Sequence, residues 1–196
     1  MTYYDEHADA YIQGTVSVDM GAQYALFAPH LKAGASILDA GCGSGRDSRV
    51  FLDRGYAVEA FDASPEMVRA ATELTGLPVR LLRFQEMDHH EQFDGIWASA
   101  SLLHVPRTEL NDVFIRLHRA LKRGGILYAS FKEREADFKS SNRFFTCFTE
   151  NAFRAFIENL GLFTIVDLQH STDLRPGRED EQWLNAVLRR GEPSIG

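Results

Sequence analysis

Two acidic residues and a run of alternate glycines follow the ends of two short apolar segments. Asp39 ends the first segment, and three glycines come after it at every second position: Gly41, Gly43 and Gly45. Asp62 ends the second segment. Glycine allows positive φ angles and lets a ligand approach the backbone closely, and a carboxylate at a strand end can accept hydrogen bonds from both hydroxyls of a ribose. The pattern indicates a nucleotide-like ligand.

The flanking residues predict the elements that hold this ligand. Ala35 to Asp39 has the length and apolar character of a strand, and the glycines form the turn into a helix that ends near Asp53. Ser44 is the expected helix cap and Asp47 a favourable acid in the first turn. A second strand runs from Ala57 to Asp62. Because the carboxyl ends of parallel strands share one edge of a sheet, we expect Asp39, the glycines and Asp62 to face one crevice.

The loop spacing separates two cofactor classes. The dinucleotide fingerprint has glycines in the pattern G-x-G-x-x-G, whereas Arg46 stands here at the third spaced position, which argues against a bound pyrophosphate. The segments DAGCGSGRD and AFDAS resemble motifs I and II of the class I S-adenosylmethionine-dependent methyltransferases. FDGIWASASLLHVP and LKRGGILYASFK resemble later core motifs of that superfamily, and more narrowly the small bacterial tellurite-resistance-like methyltransferases. The resemblance extends from about Tyr11 to Arg190.

The resemblance implies a cofactor, S-adenosylmethionine, and a set of residues that bind it. Those in motifs I and II are Asp39, Ala40, Gly41, Cys42, Gly43, Gly45, Arg46 and Asp62. Further residues at matching positions would fold over the cofactor, flank its adenosine or contact its adenine: Tyr11, Thr15, Ala63, Met67, Gln85, Glu86 and Met87. Gln85 stands where many relatives have an acid, so adenine recognition rests either on Glu86 or on backbone groups. Met67 is equally well explained as an ordinary core methionine.

The remaining chain repeats the strand and helix alternation. The expected strands after Asp62 are Pro78–Phe84, Phe93–Ser99, Ile126–Phe131, Phe163–Leu168 and Gln182–Arg190, the last of which also fits a helix. The expected helices are one starting at Pro65, Thr108–Leu121 and Glu150–Leu160. We predict a doubly wound, Rossmann-like α/β fold with a mostly parallel seven-stranded sheet, a C-terminal antiparallel strand and an N-terminal helical cap. One domain is expected over residues 1–196, with a cap at 1–34, a core at 35–190 and a tail at 191–196.

Candidate residues for catalysis and acceptor binding follow the fourth and fifth strands. Ser99 is small, which lets cofactor and substrate approach the backbone, and His104 has the chemistry of a general base, although structural packing explains it as well. The polar and aromatic stretch between Lys132 and Thr149 is expected to be a loop and has the length of a substrate wall. Its Arg143 is a candidate for holding an anionic or polar group of the substrate. Trp183 is a further candidate for substrate binding, although core or edge packing explains it better. No metal site is expected, because adjacent histidines in a polar loop rarely chelate one ion.

Bulk properties narrow the function classes. A net charge of −7 argues against a nucleic-acid substrate, since the global field repels phosphates. No apolar run reaches the roughly 20 residues that a membrane helix needs, and the first residues lack the pattern of a secretory signal, so a cytoplasmic protein is expected. The leading hypothesis is methyl transfer to a small-molecule acceptor by in-line displacement. The alternatives are methylation of RNA or protein, a nicotinamide-dependent oxidoreductase, and a cofactor-binding protein without turnover; the oligomeric state is not readable.

Overall fold

The computed structural model describes residues 8–15, 17–175, 177–178 and 180–191, with side chains from residue 12 onward. The helices are α1 Ala8–Thr15, α2 Gly21–Phe27, α3 Arg46–Asp53, α4 Pro65–Thr75, α5 Leu110–Ala120 and α6 Glu150–Leu160. The strands are β1 Ser36–Ala40, β2 Ala57–Asp62, β3 Arg80–Leu81, β4 Phe93–Ala98, β5 Leu121–Lys132, β6 Phe138–Ser140, β7 Arg143–Phe145, β8 Phe163–Thr172 and β9 Gln182–Arg190. Parts of the predicted cap and tail, residues 1–7 and 192–196, lie outside the described residues, as does the side chain of Tyr11; the predicted domain boundaries stay a prediction.

Seven of these strands form one sheet in the order β3-β2-β1-β4-β5-β9-β8. β1 pairs in parallel with β2 and β4, β2 with β3, and β4 with β5. β9 is antiparallel to both β5 and β8. The predicted fold class, a mostly parallel α/β sheet of seven strands with a C-terminal antiparallel strand, is confirmed. The switch in strand order after β1 opens the crevice in which such sheets bind ligands.

Helices cover both faces of the sheet. Successive residues of the central strands therefore pack into two different apolar clusters, one on each face. Ile96 of β4 packs in one cluster with Phe114 of α5, and its neighbour Trp97 packs in the other with Phe51 of α3. Trp97 also stacks on Tyr128 of β5 at a ring distance of 4.0 Å. Continuous burial along these strands explains their unbroken apolar sequences.

Three local predictions are wrong. The third strand was expected over Pro78–Phe84, but β3 pairs with β2 at only two positions, and Phe84 turns into the core in a 3₁₀ turn, Phe84–Glu86. The N-cap of α3 is Gly45 rather than Ser44, because the loop enters the helix through a left-handed residue with φ +85° that carries no side-chain cap. The stretch from Lys132 to Thr149 contains the hairpin β6–β7 rather than an irregular loop.

Candidate active site at the carboxyl ends of the strands

A cavity of about 720 Å³ lies at the carboxyl ends of β1, β2 and β4. The loop between β1 and α3 and the end of β2 line one end of it, here called the cofactor end. The residues after β4, the β6–β7 hairpin and the segment between β8 and β9 line the other, here called the acceptor end. The volume falls in the range of about 300–1,000 Å³ that small-molecule sites occupy.

The glycine loop is fastened to the end of β2. The backbone N–H groups of Gly41 and Cys42 both donate to the carbonyl oxygen of Phe61, each at 2.9 Å. Gly41 has φ +76°, and a Cβ at this position would lie 2.5 Å from the Cβ of Ser101. Neither a left-handed conformation nor so close an approach suits another residue, so the first glycine of the motif is required by packing as well as by the turn.

Asp62 joins the two loops of the cofactor end. Its Oδ2 accepts a hydrogen bond from the backbone N–H of Gly43, and its Oδ1 accepts one from the backbone N–H of Ser64, each at 2.9 Å. The side chain lines the cavity. Because each carboxylate oxygen can accept two hydrogen bonds, the chemistry of Asp62 fits a pair of ribose hydroxyls.

Asp47 is the centre of a buried hydrogen-bond network. Its carboxylate accepts from Tyr24 Oη at 2.6 Å, Trp97 Nε1 at 2.8 Å, and Arg46 Nε and Nη2 at 2.7 and 3.0 Å. Burial and the nearby carboxylate raise the pKa of Tyr24 well above its usual range, so its phenol stays a donor. Arg46 Nη1 donates to the carbonyl of Thr15 at 3.0 Å. The network therefore connects α1, α2, α3 and β4 beside the glycine loop.

Gln23 brings an unused acceptor to the same end. The side chain lines the cavity, the residue is 6% exposed, and its buried Oε1 has no hydrogen-bond partner in the described part of the chain. An unsatisfied buried carbonyl costs about 1–3 kcal/mol. A ligand that presents an ammonium group would supply the missing donor.

His104 lines the acceptor end and is a neutral side chain. Its Nδ1 lies 2.9 Å from the carbonyl oxygen of Phe144, which can only accept, so Nδ1 carries the hydrogen and Nε2 is the basic nitrogen. Burial, together with the positive charges of Arg143 and Lys132, lowers the pKa of His104 to about 4. The edge of the ring contacts Phe145 at a centroid distance of 4.9 Å. The imidazole is therefore a weak base at neutral pH.

The acceptor end concentrates positive charge. Four cations line the cavity there: Lys132, Arg143, Arg175 and Arg178. Two acids accompany them: Asp173 pairs with Arg175, and Glu181 pairs with Lys132 and lies 3.9 Å from Arg178. Burial lowers the pKa of Lys132 to about 8, with a further contribution from the charge of Arg175.

Aromatic rings surround Lys132. Its Nζ lies 5.7, 5.4 and 5.8 Å from the ring centres of Phe138, Phe145 and Trp183. Phe138 and Phe145 stack face to face at 4.6 Å with an angle of 5° between the rings. The guanidinium of Arg143 lies 5.2 Å from the ring centre of Phe145. The acceptor end thus combines flat apolar surfaces with a local excess of cations.

Neither a metal cluster nor a membrane span is found where the structure describes the chain. Within residues 8–15, 17–175, 177–178 and 180–191, no three histidine, cysteine or acidic side chains converge to hold a metal ion. Over the same ranges, no helix has both the length and the apolar character to cross a bilayer.

A family model described as a methyltransferase domain matches residues 37–125. This range begins in β1, contains the glycine loop, Asp62 and His104, and ends in β5. This part of the chain is therefore similar to methyltransferase domains. The resemblance drawn from the motifs is confirmed.

The chain is also similar to curated proteins and, in fold, to solved structures. A malonyl-[acyl-carrier protein] O-methyltransferase of Salmonella typhimurium is 36% identical over 95 residues, which is 47% of this chain and 37% of that protein. The chain therefore matches little more than a third of that relative's length. The crystal structure of a 1,6-didemethyltoxoflavin-N1-methyltransferase from Burkholderia thailandensis has a TM-score of 0.78 at 24% identity, covering 96% of this chain and 84% of that one. A TehB-like methyltransferase from Corynebacterium glutamicum has a TM-score of 0.69 at 21% identity, covering 95% and 99% of the two chains.

Most of the residues predicted for the site line the cavity. At the cofactor end these are Thr15, Gly41, Cys42, Gly43, Arg46, Asp62, Ala63, Met67 and Gln85. Ser99, His104, Arg143 and Trp183 line the acceptor end. Their roles in binding and catalysis stay predictions.

Five predicted residues do not line the cavity. Asp39 is 2% exposed, and its carboxylate accepts a hydrogen bond from Ser48 Oγ at 2.6 Å, so it faces α3 rather than the crevice. Burial and the neighbouring Asp47 raise the pKa of Asp39 to about 8. The others are Ala40, which is buried in β1, Gly45, which packs on α4, Glu86, which pairs with Arg83, and Met87, which is in the core.

Sequence reasoning missed two groups of cavity residues. Gln23 lies on a helix face whose neighbours, Tyr24 and Phe27, are in the core, and an amide at such a position was a signal that could have been read. Asp173, Arg175 and Arg178 belong to a segment whose charged composition indicated only a surface connection. No local pattern shows that this segment folds over the acceptor end.

Proposed function

We propose that the chain is an S-adenosylmethionine-dependent methyltransferase that transfers a methyl group to a small-molecule acceptor by in-line displacement. The observation that carries this proposal is the continuity of one cavity from the glycine loop and Asp62 to the cation-lined acceptor end. A donor and a compact acceptor can share such a space, and a methyl group passes between them only if both do. The fold relative from Burkholderia thailandensis, with its small-molecule acceptor and S-adenosylhomocysteine bound, supports the same arrangement.

The residues of the cofactor end fit S-adenosylmethionine. Asp62 would accept hydrogen bonds from the ribose hydroxyls, and Gln23 Oε1 would accept one from the ammonium group. Met67 and Gln85 would flank the adenine. When bound, the cofactor supplies a methyl group already activated on a sulfonium.

The protein then has mainly to orient the acceptor. Holding two reactants in line recovers part of the roughly 7–11 kcal/mol that effective-molarity arguments allow. Ser99 and the residues after it leave room for close approach because their side chains are small. His104, neutral and hydrogen-bonded through Nδ1, positions the wall of the acceptor end and presents a weakly basic Nε2. An acceptor that arrives already ionised needs no stronger base.

Three alternative functions would each require something different of the chain. Methylation of RNA would require the acidic chain to attract phosphates, and the net charge of −7 opposes this. Methylation of a protein-bound group, as in the name of the Salmonella relative, would place a carrier protein at the cavity mouth. A nicotinamide cofactor would need a pyrophosphate site, for which the loop has Arg46 in place of the third spaced glycine.

The first experiment measures binding of S-adenosylhomocysteine by calorimetry. Asp62→Ala removes hydrogen bonds to a charged acceptor worth about 1.5–3 kcal/mol each, so affinity should fall at least tenfold. Asp53→Ala is the matched control, because this acid ends α3 in solvent and pairs with the exposed Arg49. Tight binding of NADH, or equal affinity in both variants, would contradict the proposal.

A second experiment tests turnover. Purified protein is incubated with methyl-labelled S-adenosylmethionine and separate pools of phenols, thiols, amines, aromatic acids, acyl-carrier protein and tRNA. Transfer to a member of the small-molecule pools supports the proposal. Transfer only to tRNA or carrier protein contradicts the small acceptor, and binding without transfer to any pool favours a sensor.

A further inference from the structure

The acceptor end has a charge opposite to that of the whole protein. The chain carries a net charge of −7, yet four cations and one acid line this part of the cavity, with a second acid paired just behind them. The formal charges of these six residues therefore add up to an excess of two positive charges. A cleft lined by one sign of charge focuses the field and concentrates ligands of the opposite sign.

The charge is fixed on the sheet rather than carried on free surface side chains. Lys132 is the last residue of β5, is 5% exposed, and pairs with Glu181. Burying an ammonium group is unfavourable unless partners compensate for the lost water. Here the partners are one carboxylate and three ring faces, those of Phe138, Phe145 and Trp183.

The same walls are flat and apolar. Phe145 is stacked against Phe138, and the edge of His104 rests on Phe145. Trp183 is half-buried, lines the cavity, and its Nε1 donates to Asp173 at 3.3 Å, which fixes the plane of the indole. Planar rings favour offset or edge contacts with other planar rings. The surface therefore suits an aromatic ligand better than a compact aliphatic one.

We propose that the methyl acceptor is a small aromatic anion, with its charge held by Lys132 and Arg143 and its ring against Phe145 and Trp183. This deepens, and rests on, the proposed methyltransferase function. A pre-ionised acceptor agrees with the weak basicity of the only histidine that lines the cavity in the described part of the chain. In the transfer step, a lone pair of the acceptor forms a bond to the methyl carbon. The bond between the methyl carbon and sulfur breaks at the same time, and its electron pair stays on sulfur.

The test uses the complex of the whole chain with S-adenosylhomocysteine. Binding of S-adenosylhomocysteine is measured first, so an absence of cofactor binding is detected before any acceptor probe is added. Three probes are then titrated by calorimetry: 4-nitrobenzoate, its neutral methyl ester, and cyclohexanecarboxylate. We expect 4-nitrobenzoate to bind at least tenfold more tightly than either of the others. Equal binding of the ester would overturn the anionic part of the proposal, and equal binding of cyclohexanecarboxylate the aromatic part. If S-adenosylhomocysteine binds but no probe does, the proposal is also overturned.

Variants of Lys132 and Glu181 distinguish the effect of charge on ligand binding from the effect of packing at the acceptor end. Lys132→Met should weaken 4-nitrobenzoate at least tenfold with S-adenosylhomocysteine affinity unchanged, and Lys132→Arg should restore most of the loss. Glu181→Gln removes the acid that pairs with Lys132, so 4-nitrobenzoate should bind more tightly, by about threefold or more. This gain cannot arise from misfolding. Unchanged or weaker binding in Glu181→Gln, or unchanged binding in Lys132→Met, would refute the assignment.

Discussion

Gly41→Ala tests whether the first glycine of the loop is fixed by packing as well as by backbone conformation. The residue has φ +76°, and an added Cβ would lie 2.5 Å from Ser101 Cβ and 3.2 Å from its Oγ. A left-handed alanine costs about 1–2 kcal/mol, and forcing an extra carbon into a packed site costs about 1–3 kcal/mol more. We therefore expect the free energy of unfolding to fall by about 2–5 kcal/mol.

Gly34→Ala is the matched control, because it isolates the backbone contribution. Gly34 has φ +71°, nearly the same as Gly41, but a Cβ there would meet no atom within 4 Å. This variant should lose only about 1–2 kcal/mol. Urea unfolding followed by circular dichroism measures both, and a shift in midpoint without a change in slope shows that the native state is affected.

A double variant identifies the clashing atom. Ser101→Gly removes the Cβ that the new methyl group would meet, at the cost of the hydrogen bond from Ser101 Oγ to the Ala40 carbonyl at 2.7 Å. In the cycle with Gly41→Ala, the two changes should couple favourably by about 1–3 kcal/mol. The reasoning is refuted if Gly41→Ala costs no more than Gly34→Ala, or if the cycle shows no coupling.

Three other predictions concern titratable and hydrogen-bonding side chains. Tyr24→Phe removes one of the buried donors to Asp47 and should cost about 1.5–3 kcal/mol in urea unfolding, whereas a loss below 0.5 kcal/mol would mean that the bond is not formed. In an NMR titration, the imidazole of His104 should stay neutral down to about pH 5, because its pKa in the folded protein is about 4 and its ordinary value is 6.5. Its contribution to stability is therefore present above pH 6.5 and falls as the pH drops toward 4. His170 contacts two glutamates, which raise its pKa. Its contribution to stability is therefore present below the ordinary pKa of 6.5 and is lost as the pH rises above the raised pKa. Glu150→Gln should lower the pKa of His170 in the same NMR titration.

The cofactor end was predictable because its signals are local. A strand, a glycine turn and a helix lie within a short segment, and Asp62 follows from the same pattern one unit later. Pro65 begins α4, as predicted from the sequence alone, and Ser64 caps this helix through its hydroxyl. The direction of the Asp39 side chain was not predictable in the same way, because a carboxylate at a strand end can face either the crevice or the neighbouring helix. Ser48, in the first turn of α3, binds this carboxylate and turns it toward the helix.

The acceptor end was not predictable, because its residues come from segments far apart in the chain. Lys132 ends β5, whereas Asp173 and Arg175 follow β8, and they meet only because β9 inserts between those two strands. The short β3 illustrates the same limit at the other edge. A sequence favourable to a strand needs a partner, and β2 offers one at only two positions.

Because the cofactor end comes from one local segment and the acceptor end from distant segments, mutations should affect the two ends differently. At the cofactor end, the contacts that would hold the ligand also hold the core: Asp62 joins two loops, and Asp47 and Arg46 connect the helices beside them. Substitutions there change stability and binding together. At the acceptor end, Arg143 and Trp183 lie on the hairpin and on β9, away from the glycine loop. Exchanges at these two positions should therefore alter which acceptor is used while S-adenosylhomocysteine affinity stays constant, which makes this end the place to redirect the activity.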